Sequence, residues 1–125
     1  MAGRTSVTHA PATVSASKII GEGVINRQNE DIGKIHELVI DTDSGVIAYA
    51  VLSFGGFLGM GNKLFAIPWK ALELSPTEMK LILNVDKEKL KNAPGFDKEN
   101  WPDFADRSYG KTIHNYYGYD TYWEL

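Results

Sequence analysis

The chain contains no cysteine. That absence removes disulfides, thiol nucleophiles and thiolate metal sites together. Long hydrophobic runs are missing too. The longest apolar stretch, residues 46–52, has seven residues, whereas a membrane-spanning helix needs about 20. No membrane insertion is therefore expected. Residues 1–17 are rich in Ala, Thr and Ser and carry one charge, Arg4. They lack the apolar core of a secretory signal, so a flexible N-terminal arm and a cytoplasmic location are the expectations. A large excess of one sign of charge is missing as well. The net charge is −3, which opposes a strong non-specific hold on nucleic acid or anionic membrane. Aromatic residues are absent from the first 48 positions.

What is present is an ordinary globular composition over 125 residues, with 43% hydrophobic and 23% charged residues. That balance fits one folded domain with a real core and excludes wholesale disorder. The aromatics are concentrated at the far end. Nine of the fourteen fall in the last thirty residues: Phe96, Trp101, Phe104, Tyr109, Tyr116, Tyr117, Tyr119, Tyr122 and Trp123.

Between residues 18 and 85 the pattern is strand, turn, strand. Short β-rich segments are predicted at 24–26, 34–41, 46–54, 63–67, 72–74 and 79–85. Thr42-Asp43-Ser44-Gly45 is expected as one tight turn, with Gly45 suited to a positive φ. Residues 55–62 are expected as a glycine-rich loop. Six closely spaced strands imply a mainly β fold, a small six-stranded antiparallel barrel. The segment 46–54 is apolar on both faces: Val46, Ala48, Ala50, Leu52 and Phe54 on one, Ile47, Tyr49 and Val51 on the other. A barrel interior covers only one of these, so something else must cover the second. Residues 86–125 change character. Asp86 can cap a short helix through Lys91. Beyond Pro94-Gly95 no sustained period appears, and the extension is expected to be irregular and only partly helical. The organisation is thus a flexible arm (1–17), a barrel domain (18–85) and an aromatic extension (86–125) packed on the barrel.

Motifs for chemistry fail one by one. Gly56 and Gly61 have the spacing of a phosphate loop, but Asn62-Lys63 follows where Lys-Ser/Thr is required, and no helix opens there. Asp41-Thr42-Asp43 begins like a calcium loop, yet its sixth and twelfth positions hold Val46 and Leu52. The second His of a zincin motif beginning at His36 would fall on Ile40. His9, His36 and His114 are scattered, with no metal-ligand spacing. No serine sits in a nucleophile elbow. The aromatic tail carries six acids against three bases (Lys98, Arg107, Lys111), the wrong sign for stacking on single-stranded nucleic acid. No catalytic residue, cofactor site or metal site is expected. The aromatics are read as core packed onto the exposed apolar face.

Three stretches carry a resemblance. They are Gly33-Lys-Ile-His-Glu-Leu-Val-Ile-Asp41, then Ser44-Gly-Val-Ile-Ala-Tyr-Ala-Val-Leu-Ser-Phe-Gly-Gly-Phe-Leu-Gly-Met-Gly-Asn-Lys63, then Ala66-Ile-Pro-Trp-Lys-Ala-Leu72. In this order and spacing, residues 18–85 resemble the PRC-barrel family. The family takes in the cytoplasmic domain of the photosynthetic reaction centre H subunit and the C-terminal domain of a ribosome maturation factor. The tail, with Pro94-Gly-Phe-Asp97 and Asn100-Trp-Pro-Asp103, looks like that of stand-alone bacterial members. The resemblance implies a docking module, not a catalyst. The expected function is a non-enzymatic protein–protein interaction or self-association module, with a homodimer as the simplest case. The alternatives are an accessory role in ribosome or RNA maturation, or a scaffold beside a photosynthetic or other membrane redox complex. The candidate interaction surface is Phe54, Phe57, Leu58, Met60 and Trp69.

Overall fold

A computed structural model describes residues 13–57, 61–74 and 80–124. The expected arm therefore lies, up to residue 12, outside the described residues. From residue 13 the chain enters a short helix, α1 (Ala16–Ile19), whose Ile19 is buried.

Six strands follow: β1 (Gly23–Ile25), β2 (Asp31–Ile40), β3 (Ile47–Phe57), β4 (Gly61–Pro68), β5 (Leu72–Leu74) and β6 (Leu81–Leu83). A 3-10 turn at Trp69–Ala71 joins β4 to β5. The strands form one sheet in the order β4-β3-β2-β1-β6-β5. The long β2–β3 pair sets its centre, with Lys34 opposite Ser53 and Leu38 opposite Ala50. Its turn is built by Asp41, whose carboxylate accepts the backbone N–H groups of Asp43 (2.9 Å) and Ser44 (3.2 Å). Gly45 completes it at φ 78°, a left-handed conformation that only glycine adopts without strain.

Two expectations need correction. The sheet is mixed, because β6 runs parallel to β1, with Val24 opposite Leu81. It is curled, with β4 and β5 at its two ends. The sequence marks local hairpins through their turns, and hairpins are antiparallel. The β5–β6 hairpin, however, docks on the free side of β1 after a long excursion, and no turn signal encodes that direction. The glycine-rich segment is also less of a loop than expected. Strand pairing runs on to Phe57 opposite Gly61, with a register shift after Phe54. Glycines permit the irregular extended backbone such a shift requires.

The core gathers Val24, Ile32, Ile35, Leu52, Phe65, Ile67, Leu81 and Leu83, each with no more than 2% of its surface exposed. Each such side chain contributes about 1.5–3 kcal/mol by leaving water. Strand β3 is buried on both sides: Ala50 and Leu52 on one face and Tyr49 and Val51 on the other are all fully covered.

The cover on the Tyr49 side comes from the C-terminal segment. Asp86 caps α2 (Lys87–Lys91) by accepting the N–H of Lys89 at 2.7 Å, as its position before the helix predicts. Phe96 then pairs with the edge of β4 through Phe96 N–H to Leu64 O (2.8 Å) and Leu64 N–H to Phe96 O (3.0 Å). Beyond Pro94-Gly95 the C-terminal part is partly helical, as expected. Residues Arg107–Tyr117 form α3, eleven residues long, capped by Asp106 and closed by Gly118 at φ 80°. Its buried residues are Gly110, Ile113, His114 and Tyr117, a stripe at i, i+3, i+4 and i+7. Only one of the four is aliphatic, so the helical period is invisible to a count of apolar residues.

Candidate functional site

Of the five residues singled out from the sequence, Phe54 and Trp69 have described side chains. Phe54 lies in the core, 6% exposed. Trp69 is half-buried on the 3-10 turn. The two lie at opposite ends of the β3–β4 ladder, Phe54 opposite Lys63 and Trp69 just after Pro68, which faces Tyr49. Five residues of strand separate those positions, about 17 Å at the usual rise. The backbone of Phe57 belongs to β3. Its side chain, with Leu58 and Met60, lies outside the described residues.

The Trp69 end of the ladder is the open end. There the β2–β3 hairpin leaves Ile40 54% and Val46 39% exposed. Beside it is a cavity of about 340 Å³, walled by Val46, Ile47, Ala48 and Trp69 from the sheet and by His114 and Tyr122 from the C-terminal segment. Lys70 and Asp120, both exposed, flank it. Tyr122 also walls a second cavity, of about 260 Å³, lined on its polar side by Asp41, Asp43 and Arg107.

Three side chains give this end its chemistry. Tyr122 donates its hydroxyl to Asp41 Oδ2 at 2.7 Å. Partial burial, then the carboxylate beside it, pushes the Tyr122 phenol up to about 12, and the same bond holds the Asp41 carboxyl below its ordinary value. Tyr49 is fully buried, and its hydroxyl makes no hydrogen bond among the described residues. Burial pushes its pKa up, so it is a neutral phenol in the folded protein. His114 is 2% exposed and sits in a cage of rings, with centroids 5.5 Å from Tyr49, 6.0 Å from Tyr122 and 5.9 Å from Trp123. Its Nδ1 lies 2.7 Å from the carbonyl oxygen of Gly110. A carbonyl only accepts, so Nδ1 is the donor in this contact.

Sequence reasoning passed over His114 and Tyr122. A signal existed: Gly110, Ile113, His114 and Tyr117 share one helical face. Finding it means counting glycine and histidine as core. The other histidines make no site with it. His36 packs against Trp101, with centroids 6.0 Å apart, and His9 lies outside the described residues. Among the described residues no three His, Asp or Glu side chains converge as metal ligands, and no helix is long and apolar enough to cross a membrane.

These features define a class: a small curled β-sheet module whose exposed apolar face is closed by its own aromatic C-terminal segment. Residues 11–90 match the family described as the PRC-barrel domain, and the chain belongs to that family. Among solved structures it is similar to a putative 16S ribosomal RNA processing protein, RimM, from Pseudomonas aeruginosa, at 13% identity and a TM-score of 0.41. That match covers 62% of this chain and 47% of the other, so this chain spans about half the length of that protein. No curated protein matches the chain.

Proposed function

We propose that the chain is a non-enzymatic protein–protein interaction module that associates with itself. The observation that carries this reading is the apolar opening at the β2–β3 hairpin end, where Ile40 and Val46 are 54% and 39% exposed. The C-terminal segment packs on Tyr49 of β3 and leaves these two exposed. The rim bears both signs of charge, Asp43 and Asp120 beside Lys70 and Arg107. Such a mixed rim suits a twofold contact, in which the acids of one copy meet the bases of the other. The reading includes a cytoplasmic setting.

Light scattering after gel filtration, at tens of micromolar, tests it. The expected mass is twice 13.9 kDa, returning to the single-chain value in Ile40→Glu. Ile40 is exposed enough for that change to leave the fold alone. A wild-type mass of 13.9 kDa overturns the reading. Phe57, Leu58 and Met60 form the second candidate contact. A Leu58→Ser, Met60→Ser pair that dissociates the dimer, where Ile40→Glu does not, assigns the interface to residues 57–60 instead.

A further inference from the structure

A further cavity, of about 350 Å³, lies at the C-terminal end of α3. Tyr117, Gly118 and Tyr119 wall it from the helix end, and Ala71, Leu83, Asn84 and Val85 from the 3-10 turn and the end of β6. Among the described residues no charged side chain belongs to the wall. The last four carbonyls of a helix have no partner within it. In α3 the cap serves two of them: Gly118 N–H donates to Asn115 O at 3.1 Å, and Tyr119 N–H to His114 O at 3.0 Å. The other two, of Tyr116 and Tyr117, accept no hydrogen bond among the described residues. Helical carbonyls point along the axis towards the C-terminus, the end that the cavity adjoins. Residues 114–117 include no lysine or arginine to offset the negative end of the helix.

We propose that this cavity binds a primary alkylammonium group, whose N–H groups donate to the free carbonyls at the end of α3. Three features select that class. The free groups of the helix end are carbonyls, which only accept, so the ligand must donate. The helix end carries about half a negative charge. The charged residues adjoining the wall in the chain, Lys70, Asp86 and Asp120, are two acids against one base. A cation is therefore favoured over a neutral alcohol or an anion. Ala71, Leu83 and Val85 are apolar, the first two buried, and suit a short aliphatic stem in a cavity at the small end of ligand sites. Asn84 is exposed, and its amide oxygen can accept from the same cation. The Tyr117 hydroxyl is buried and has no partner, so Tyr117 contributes its ring and its carbonyl. A free alkylamine and a lysine side chain of another protein share this chemistry.

The test titrates the full chain at neutral pH with n-butylammonium, n-butanol and tetramethylammonium, at fixed ionic strength. It follows the methyl signals of Ala71, Leu83 and Val85 by NMR. An alkylamine of the lysine type titrates near about 10.4, so the amine is charged throughout. The expected result is saturable shifts with butylammonium. Affinity should be at least about tenfold lower for butanol, which lacks the charge, and for tetramethylammonium, which lacks the N–H donors. Asn84 is exposed, so substitutions there should spare the fold. Asn84→Lys sets a cation in the wall and should abolish the shifts. Asn84→Asp should tighten butylammonium about threefold and leave butanol unchanged. Nα-acetyl-lysine methylamide separates the two sources: affinity equal to or above that of butylammonium assigns a protein lysine, and lower affinity a free amine. Equal affinity of butylammonium and either control overturns the proposal. So does the absence of shifts at millimolar butylammonium, or an Asn84→Lys chain that binds it as the wild type does.

Discussion

At the scale of single residues, Gly33 and Gly45 both hold positive φ, 122° and 78°, yet they answer to different causes. A Cβ on Gly45 would meet nothing within 4 Å, whereas one on Gly33 would run into the backbone carbonyl oxygen of Ser53 on the neighbouring strand. Gly45→Ala therefore incurs only the conformational strain, about 1 kcal/mol. Gly33→Ala incurs strain plus a collision with backbone that cannot rotate away, about 2–4 kcal/mol in all. Urea unfolding of the two variants should show the larger drop in midpoint for Gly33→Ala, and equal drops would refute the account. The pair also shows what a single residue discloses in sequence. Gly45 closes an Asp-Ser-Gly turn, and its conformation is readable from its neighbours. The need at Gly33 comes from Ser53, twenty positions away, and cannot be read locally. Phe54 and Trp69 obey the same logic: whether a large apolar side chain faces core or opening depends on what another segment lays over it.

At the scale of elements, the β2–β3 turn is tied to the chain's far end by the Tyr122 hydroxyl on Asp41 Oδ2. This contact gives the fold two pH limits. The Tyr122 phenol lies at about 12 in the folded state against an ordinary value of 10.0, with burial the main cause. The folded protein therefore holds its proton where the unfolded chain has lost it. The stabilisation is whole below pH 10 and is lost as pH rises from 10 towards 12. The Asp41 carboxyl is lowered from 3.8, first by the same hydroxyl. Its contribution is whole above that value and disappears as pH falls through the lower, folded one. Melting temperature against pH should thus fall at both ends. Tyr122→Phe should soften the alkaline fall, and Asp41→Asn the acid one. Tyr109, also near 12 through burial, keeps part of the alkaline limb in the Phe variant. If neither variant alters its limb, the contact does not hold the turn.

The strands, the Asp41 turn and the Asp86 cap were legible from sequence because each is encoded within a few residues by alternation, Asx chemistry and a capping side chain. Helix α3 was not, since its inner face is Gly110, Ile113, His114 and Tyr117. The glycine stands there because Trp123 and the Tyr49 hydroxyl press on it: a Cβ would come within 2.6 Å of one and 2.8 Å of the other. The parallel β1–β6 pairing was hidden for the same reason, its cause lying in a distant docking step.

At the scale of the whole molecule, the concentration of aromatics in the last thirty residues and the two-sided burial of β3 are one fact seen from two ends. Tyr49 packs against Phe104 at 5.7 Å and Tyr122 at 6.0 Å between centroids, while Phe96 extends the sheet past β4. That a cover was needed was legible in the doubly apolar strand. How it is delivered, as an added edge bridge, a helix and a crossing aromatic cluster, was not. Cutting the chain after Asn92 removes all three. It uncovers Tyr49 and Val51 and forfeits the burial of Phe96, Ile113 and Tyr117, at about 1.5–3 kcal/mol each. Three such losses alone rival the 5–15 kcal/mol by which an ordinary domain is stable. The truncated chain should therefore show no cooperative melt by near-ultraviolet circular dichroism and should bind a hydrophobic dye that the full chain ignores. An unchanged melting temperature would mean that the sheet is complete without its aromatic segment. In that case Tyr49 would be free to face a partner, and the interaction surface would have to be sought on the second face of β3 rather than at the hairpin end.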